Sequence, residues 1–264
     1  MLLEIKDLRL AFERRGEPIE ILHGIDLEVA QGELVGLVGE SGSGKSTSVR
    51  ASLRLYGDEA ELTGSIKVDG VEMIGADANT VRNVRADKAA LVQQDPRAAL
   101  NPVRRIGDSL AEQLVRVHGW TRTRANDRIV ELLDTVGITH PELRVRQYPH
   151  ELSGGMLQRV VIAAALSTEP RLIFADEATS ALDVTTQAEV LAIFQKQIRE
   201  RGVGMLFITH DLHLAGAICD RIYVLRRGEI VETLHKPGLF SEATHPYTQT
   251  LIETAPVMKK GVES

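Results

Sequence analysis

The sequence has a single cysteine, Cys219, among its 264 residues. One thiol cannot close an internal disulfide, and no cysteine cluster exists to hold zinc or an iron-sulfur centre, so a reducing compartment, the cytosol, is expected. Aromatic residues are only 4% of the chain, which excludes a broad platform of stacked rings for single-stranded nucleic acid. Long apolar runs are missing as well. The longest, 160–166, falls far short of the roughly 18 residues that cross a bilayer. The opening Met1-Leu2-Leu3-Glu4-Ile5-Lys6-Asp7 alternates apolar with charged residues and lacks the apolar block of a signal peptide. Positive charge is not in excess either. The formal net charge is -6, and basic pairs such as Arg122 with Arg124, Arg144 with Arg146, and Lys259-Lys260 are scattered, so no general attraction to phosphate backbones or anionic lipid is expected. The chain is therefore not expected to span a membrane, although docking on a polypeptide that does stays open.

What is present is ordinary globular material. Apolar residues make up 43% and charged residues 26%, enough to bury a core of Leu, Ile, Val and Ala. At about 150 residues per domain the length suits one large domain or two small ones. Period-two alternation over 3–12 and 25–29 predicts strands, and the continuous apolar run 34–38 predicts a strand covered on both faces. Asp69-Gly70 between β-prone residues predicts a hairpin. From 100 to about 158 the apolar residues Ile106, Leu110, Leu114, Ile129, Leu133 and Val136 recur at helical spacing, which predicts a helical insertion. Strands at 172–175, 205–209 and 222–225 then alternate with helices at 160–166 and 185–201, and a last short strand follows Arg226-Arg227-Gly228-Glu229. Such alternation implies an α/β fold with a mostly parallel sheet.

Two segments carry chemistry. Gly39-Glu40-Ser41-Gly42-Ser43-Gly44-Lys45-Ser46 fits G-x-x-x-x-G-K-[ST] in full, between an apolar strand and an expected helix. Glycines let the backbone wrap an anion, its NH groups turn inward, and the helix N-terminus adds a positive dipole end. Lys45 is then placed to reach β- and γ-phosphates, and the Ser46 hydroxyl to ligate Mg²⁺. The strand 172–175 leads into Asp176-Glu177. In a triphosphatase the first acid holds Mg²⁺ and the second acts as general base toward water. Taken alone, the pair is not specific, because two acids can also simply end a strand at the surface.

Leu152-Ser153-Gly154-Gly155-Met156-Leu157-Gln158-Arg159 resembles the signature motif of ATP-binding cassette (ABC) ATPases, and most of the chain follows the same pattern. Gln94 in Val92-Gln93-Gln94-Asp95-Pro96 is similar to the family's Q-loop, Ser180-Ala181-Leu182-Asp183 to its D-loop, and His210 in Ile208-Thr209-His210-Asp211 to its switch histidine. The resemblance implies a P-loop NTPase cassette: a RecA-like core with an antiparallel β-subdomain over 1–97 and 159–235, a helical subdomain over 98–158, and a family-specific tail over 236–264. It implies ATP and Mg²⁺ as ligands. Gly39, Ser41, Gly42, Ser43, Gly44, Lys45, Ser46 and Thr47 would hold the nucleotide from one side. Ser153, Gly154 and Gly155 of a second cassette, the same chain or a different one, would hold it from the other. Glu177, His210, Gln94 and Lys45 are the implied catalytic residues, and Ser46, Gln94 and Asp176 the implied metal ligands. Phe12 stands where the family stacks a ring on adenine, although a strand phenylalanine also serves as core. His210 could equally cap the helix after it, and His213, three residues on, could pair with it on a metal or simply face solvent.

Thr244-His245-Pro246-Tyr247-Thr248 resembles a motif in the ATPases of oligopeptide, dipeptide and nickel importers, as do Gln94-Asp95-Pro96 and Leu100-Asn101-Pro102. On physical grounds alone, Pro246 opens a helix. Met156 is a variant found in that branch, and Leu157 stands where a basic residue is usual. The resemblance implies an ATP-hydrolysing importer subunit for peptides or nickel-type metal chelates, peripheral on the cytoplasmic face of the inner membrane. Its implied partners are two transmembrane permease subunits and an extracytoplasmic substrate-binding protein, with no nucleic acid. A soluble ABC-type ATPase acting on nucleic acid or ribosomes would instead bring two cassettes, a long coiled coil or basic arms. A GTPase would need an Asn-Lys-x-Asp motif, which the sequence lacks.

Overall fold

Short apolar runs become strands and amphipathic stretches become helices. The computed structural model describes residues 1–14, 17–57, 59–180 and 182–254. Ala181 of the D-loop, the Lys259-Lys260 pair and the end of the tail lie outside the described residues. In chain order the elements are β1 (Leu3–Arg14), β2 (Glu17–Val29), β3 (Leu34–Val38), α1 (Lys45–Ser52), β4 (Ala60–Val68), β5 (Val71–Glu72), α2 (Ala78–Asn83) and β6 (Ala89–Val92). Next come α3 (Ile106–Arg116), α4 (Arg122–Thr135), α5 (Pro141–Arg144), α6 (Gly154–Leu166), β7 (Leu172–Asp176) and α7 (Val184–Arg201). The series ends with β8 (Gly204–Thr209), α8 (Leu212–Ile218), β9 (Arg221–Arg226), β10 (Glu229–His235) and α9 (Pro246–Thr254). A π-helical turn, Val84–Lys88, joins α2 to β6. The chain divides into two compact units, Met1–Ala76 together with the residues from Met205 onward, and Asp77–Gly204.

In the first unit β1 lies between β2 and β4, antiparallel to both, and β5 adds to β4. Leu3, Ile5, Leu8 and Leu10 all face inward although the step from Ile5 to Leu8 breaks strict alternation. A bulge absorbs the extra residue: the register shifts between Ile5 and Leu8, with Asp7 at φ 42°. The expected hairpin closes through Asp69 and Gly70 at φ 46° and 77°, a pair of left-handed residues that suits the strand twist. Elsewhere in this unit β3, buried along its whole length, runs parallel to β8 on one side and β9 on the other, and β10 pairs antiparallel with β9. Cys219 is buried beside Gly36 of β3, its sulfur 3.1 Å from where a Cβ would stand. Burial pushes its thiol pKa up, which makes it an inert core group.

The second unit pairs β6 parallel with β7. Helices α3 and α4 pack together through inward faces that include Ile106, Leu110 and Leu114 of one and Ala125, Ile129 and Leu133 of the other. Helix α6 buries Val160, Val161, Ile162, Ala163 and Leu166. Leu157 is buried as well, so it contributes to packing rather than to the unit's surface.

Candidate active site

The loop 39–44 leaves the end of β3 and turns directly into α1. Gly42 and Gly44 have φ 80° and 109°, a region that residues with a Cβ rarely adopt, and nothing lies within 4 Å of where a Cβ on Gly42 would point. Gly39 is pressed under the Leu225 carbonyl, which a Cβ would meet at 2.1 Å. Gly44 begins α1 with no side-chain cap, and the first turn holds no acid. The helix therefore presents its N-terminal amides and dipole without a competing carboxylate. Ser43 is buried, and its Oγ has no hydrogen-bond partner in the structure. A curled backbone, open space at Gly42, an uncapped helix start and an orphaned hydroxyl together fit an anion with several oxygens.

Lys45 is 5% exposed, and its ammonium donates to the carbonyls of Gly39 and Glu40, both at 2.7 Å. Ser46 and Thr47 are half-buried on the first turn of α1. The loop is held from outside as well. The Gly228 N–H donates to the Ser43 carbonyl at 2.9 Å, and the Glu40 N–H donates to the Tyr247 hydroxyl at 3.0 Å. The structure thus adds Gly228 and Tyr247 to the loop's surroundings. Tyr247 lies in a motif visible in the sequence, but nothing local marks a residue 207 positions from Glu40 as its partner.

His210 follows β8 directly and is exposed. The cap of α8 is Asp211, whose carboxylate accepts from the Leu214 N–H at 2.9 Å, so the capping role open in the sequence falls to the neighbour of His210. His213 packs edge-to-face against Phe240 with ring centroids 5.4 Å apart. Phe12, half-buried on β1, meets Tyr56 edge-to-face at 5.1 Å.

The second unit carries the acidic strand end and the signature. Strand β7 is buried throughout and delivers Asp176, 9% exposed, at its carboxyl end. Glu177 follows in the left-handed region at φ 47°, a conformation that costs free energy in a non-glycine residue and concentrates at functional sites. The Ser180 hydroxyl donates to the Glu177 carbonyl at 3.0 Å and accepts from Gln94 Nε2 at 3.3 Å. Gln94 and the backbone of Glu177, 83 positions apart in numbering, are therefore joined through one hydroxyl. Asp183 caps α7, accepting from the Thr186 N–H at 3.0 Å and from the Thr186 hydroxyl at 2.7 Å. Those two hydrogen bonds, the backbone one first, hold its carboxyl below the usual aspartate range.

Ser153 caps α6 by accepting from the Met156 N–H at 3.3 Å. This uses one lone pair of a hydroxyl whose own proton is a separate donor. Gly154 has open space where a Cβ would project. Gly155 has none, since its Cβ would stand 2.9 Å from the Thr186 methyl. One glycine of the pair thus leaves the helix start accessible, while the other lets α6 pack against α7. Arg159 fixes the helix further, pairing with Glu189 and donating to the Val136 carbonyl at 3.0 Å.

Comparison with known proteins identifies the family. The sequence profile of the ABC transporter family matches residues 22–180. The oligopeptide transport ATP-binding protein OppD of Bacillus subtilis is 39% identical over 264 residues, covering 99% of this chain and 74% of that protein. A putative peptide import ATP-binding protein of Brucella ovis is 43% identical over 270 residues, 99% of this chain and 80% of that one. Among solved structures, a dimeric bacterial ABC transporter cassette superposes with a TM-score of 0.79 at 28% identity, over 88% of this chain and 98% of the cassette. A dimeric post-hydrolysis state of an ATP-binding cassette bound to ADP and Pi matches with the same score, identity and coverage. By its matched core, by relatives that align over nearly all of this chain and by its fold, this chain belongs to the ABC transporter family and is one of its ATP-binding cassettes.

Proposed function

We propose that this chain is the ATP-hydrolysing subunit of a peptide importer, working on the cytoplasmic face of the inner membrane against two permease subunits and supplied by an extracytoplasmic substrate-binding protein. The observation that carries the reading is the loop 39–46, with left-handed Gly42 and Gly44, the orphaned Ser43 hydroxyl and an uncapped α1. Peptide is favoured over nickel as cargo because the relatives at 39% and 43% identity are named for oligopeptide transport and peptide import. No helix among the described residues is long and apolar enough to cross a membrane, in keeping with a peripheral subunit.

In this reading the amides of the loop and of the first turn of α1 bind the phosphates, and Lys45 exchanges its carbonyl partners for β- and γ-oxygens. Ser46 and Asp176, with Gln94, supply the hard oxygen donors that suit Mg²⁺. When bound, that ion neutralises charge on the phosphate oxygens. Glu177 takes a proton from the attacking water as the new oxygen–phosphorus bond forms and the bond to the β–γ bridging oxygen breaks, yielding ADP and phosphate. His210 donates to the γ-phosphate, and Phe12 supplies a face for adenine. The helical region 98–158 receives the permease. Ser153, Gly154 and Gly155 close over the ATP of a partner cassette, so that ATP joins the two and its hydrolysis releases them. A MgATP titration of Lys45→Ala tests the reading: loss of saturable binding is expected, and affinity equal to that of the parent chain overturns it.

A further inference from the structure

The tail after β10 returns to the phosphate loop through a continuous set of contacts within the first unit. The carboxylate of Glu232 on β10 accepts from the Thr244 N–H at 2.6 Å, the Thr244 hydroxyl at 2.9 Å and the His245 N–H at 3.1 Å. His245 Nδ1 in turn accepts from the Tyr247 N–H at 3.1 Å, which fixes the start of α9. The Tyr247 ring lies under the Arg226 guanidinium, 4.8 Å from its centroid, and the hydroxyl accepts from the Glu40 N–H. The same segment also reaches α8. Phe240 packs so closely on Gly216 that a Cβ there would meet its ring at 2.2 Å, and it also contacts the His213 ring. Lys236 Nζ donates to the Ala217 carbonyl at 3.3 Å.

One peptide group makes these contacts consequential. The Glu40 N–H and the Gly39 carbonyl belong to the same planar unit. Tyr247 grips the N–H side, and Lys45 grips the carbonyl side at 2.7 Å. The orientation of that plane decides where Lys45 finds a carbonyl and how the loop's amides are aimed.

We propose that Tyr247 is a positioning residue for the phosphate loop, and that residues 236–247 form a strut tying this loop to α8, the helix that begins just after His210. The strut keeps the Gly39–Glu40 peptide in the orientation that receives a nucleoside triphosphate. This rests on the assignment of loop 39–46 to ATP. Thr244-His245-Pro246-Tyr247 thereby gains a physical role inside the cassette, with Glu232 and His245 as its anchors and the tyrosine hydroxyl as its working end.

Calorimetric titration of the whole 264-residue chain with MgATP tests it. Tyr247→Phe keeps the ring under Arg226 and removes one hydrogen bond to the loop, so Kd should rise roughly three- to tenfold. The Glu40 amide resonance should shift, and the thermal midpoint should change little. Glu232→Gln leaves Tyr247 intact but loosens its anchor, and should weaken MgATP binding in the same direction. Lys45→Ala is the control. If it abolishes binding while Tyr247→Phe binds as the parent does, the strut is wrong and the ATP assignment stands. If Lys45→Ala also binds normally, the assignment itself fails. A Tyr247→Phe chain that melts earlier but binds MgATP unchanged would reduce the tyrosine to a packing role and overturn the proposal.

Discussion

Glu177 occupies a backbone conformation that a glycine would adopt at lower cost, and the structure restrains it with a hydroxyl, Ser180, bonded to its own carbonyl. Replacing the side chain by an isosteric amide changes neither the backbone carbonyl that Ser180 bonds nor the Gln94 contact to Ser180, and removes the carboxylate's charge and proton-accepting capacity. Glu177→Gln should therefore bind MgATP as the parent chain does and hydrolyse it about 10²- to 10⁴-fold more slowly in a single-turnover assay, the usual range for a lost general base. Turnover near the parental rate would remove Glu177 from that role. At this scale the sequence was informative wherever spacing encodes chemistry: Lys45, Asp176 and Ser153 sit at the strand end and helix starts that their motifs required. It was silent about Ser180 as the link between Gln94 and Glu177, since a hydrogen bond between residues 86 apart leaves no local pattern.

Among the elements, α9 depends on a carboxylate outside it. Partial burial works against charge on Glu232, but hydrogen bonds from the threonine hydroxyls and the Thr244 and His245 amides outweigh it and hold its pKa below a glutamate's ordinary 4.5. A depressed folded pKa means that the stabilisation is complete above the unfolded value and is lost as pH falls through the folded one. Hydrogen exchange should show the Thr244 and His245 amides protected from neutral pH down to about 4.5, then progressively exposed at lower pH while β9 stays protected. Protection that persists unchanged through that range would contradict the anchoring role of Glu232. Elements with a long apolar period, such as α3, α4 and α7, could be read from sequence, as could the unbroken apolar run of β7. The segment 78–92 could not. In α2 only Val81 is buried, the π-helical turn buries only Val84 and Ala86, and β6 has four residues, too few for either period to register.

For the whole molecule, the phosphate loop belongs to one compact unit and the signature helix α6 to the other. Each offers a helix start suited to anionic oxygens, and the proposed function joins them across two cassettes. Ser153→Arg puts a bulky cation at the start of α6, where Gly154 leaves open space. It should leave MgATP binding by the isolated chain nearly unchanged and abolish ATP-dependent dimers in light scattering. Dimers of parental strength would rule out a role for Ser153 in a shared site. Composition had already disfavoured nucleic acid and a membrane-spanning chain, while the cargo rested on resemblance alone, because no side chain in an energy-converting cassette needs to touch what is transported.

The tyrosine that braces the loop lies 207 positions downstream of Glu40. During translation the loop leaves the ribosome with β3 and α1 long before that hydroxyl exists, and Gly228, its other outside support, is also made late. A nascent or prematurely terminated polypeptide therefore carries the glycine-rich turn without its props. Only a chain synthesised past residue 247 carries both of these contacts, so translation order itself delays the bracing of the glycine-rich turn until long after the turn has been made.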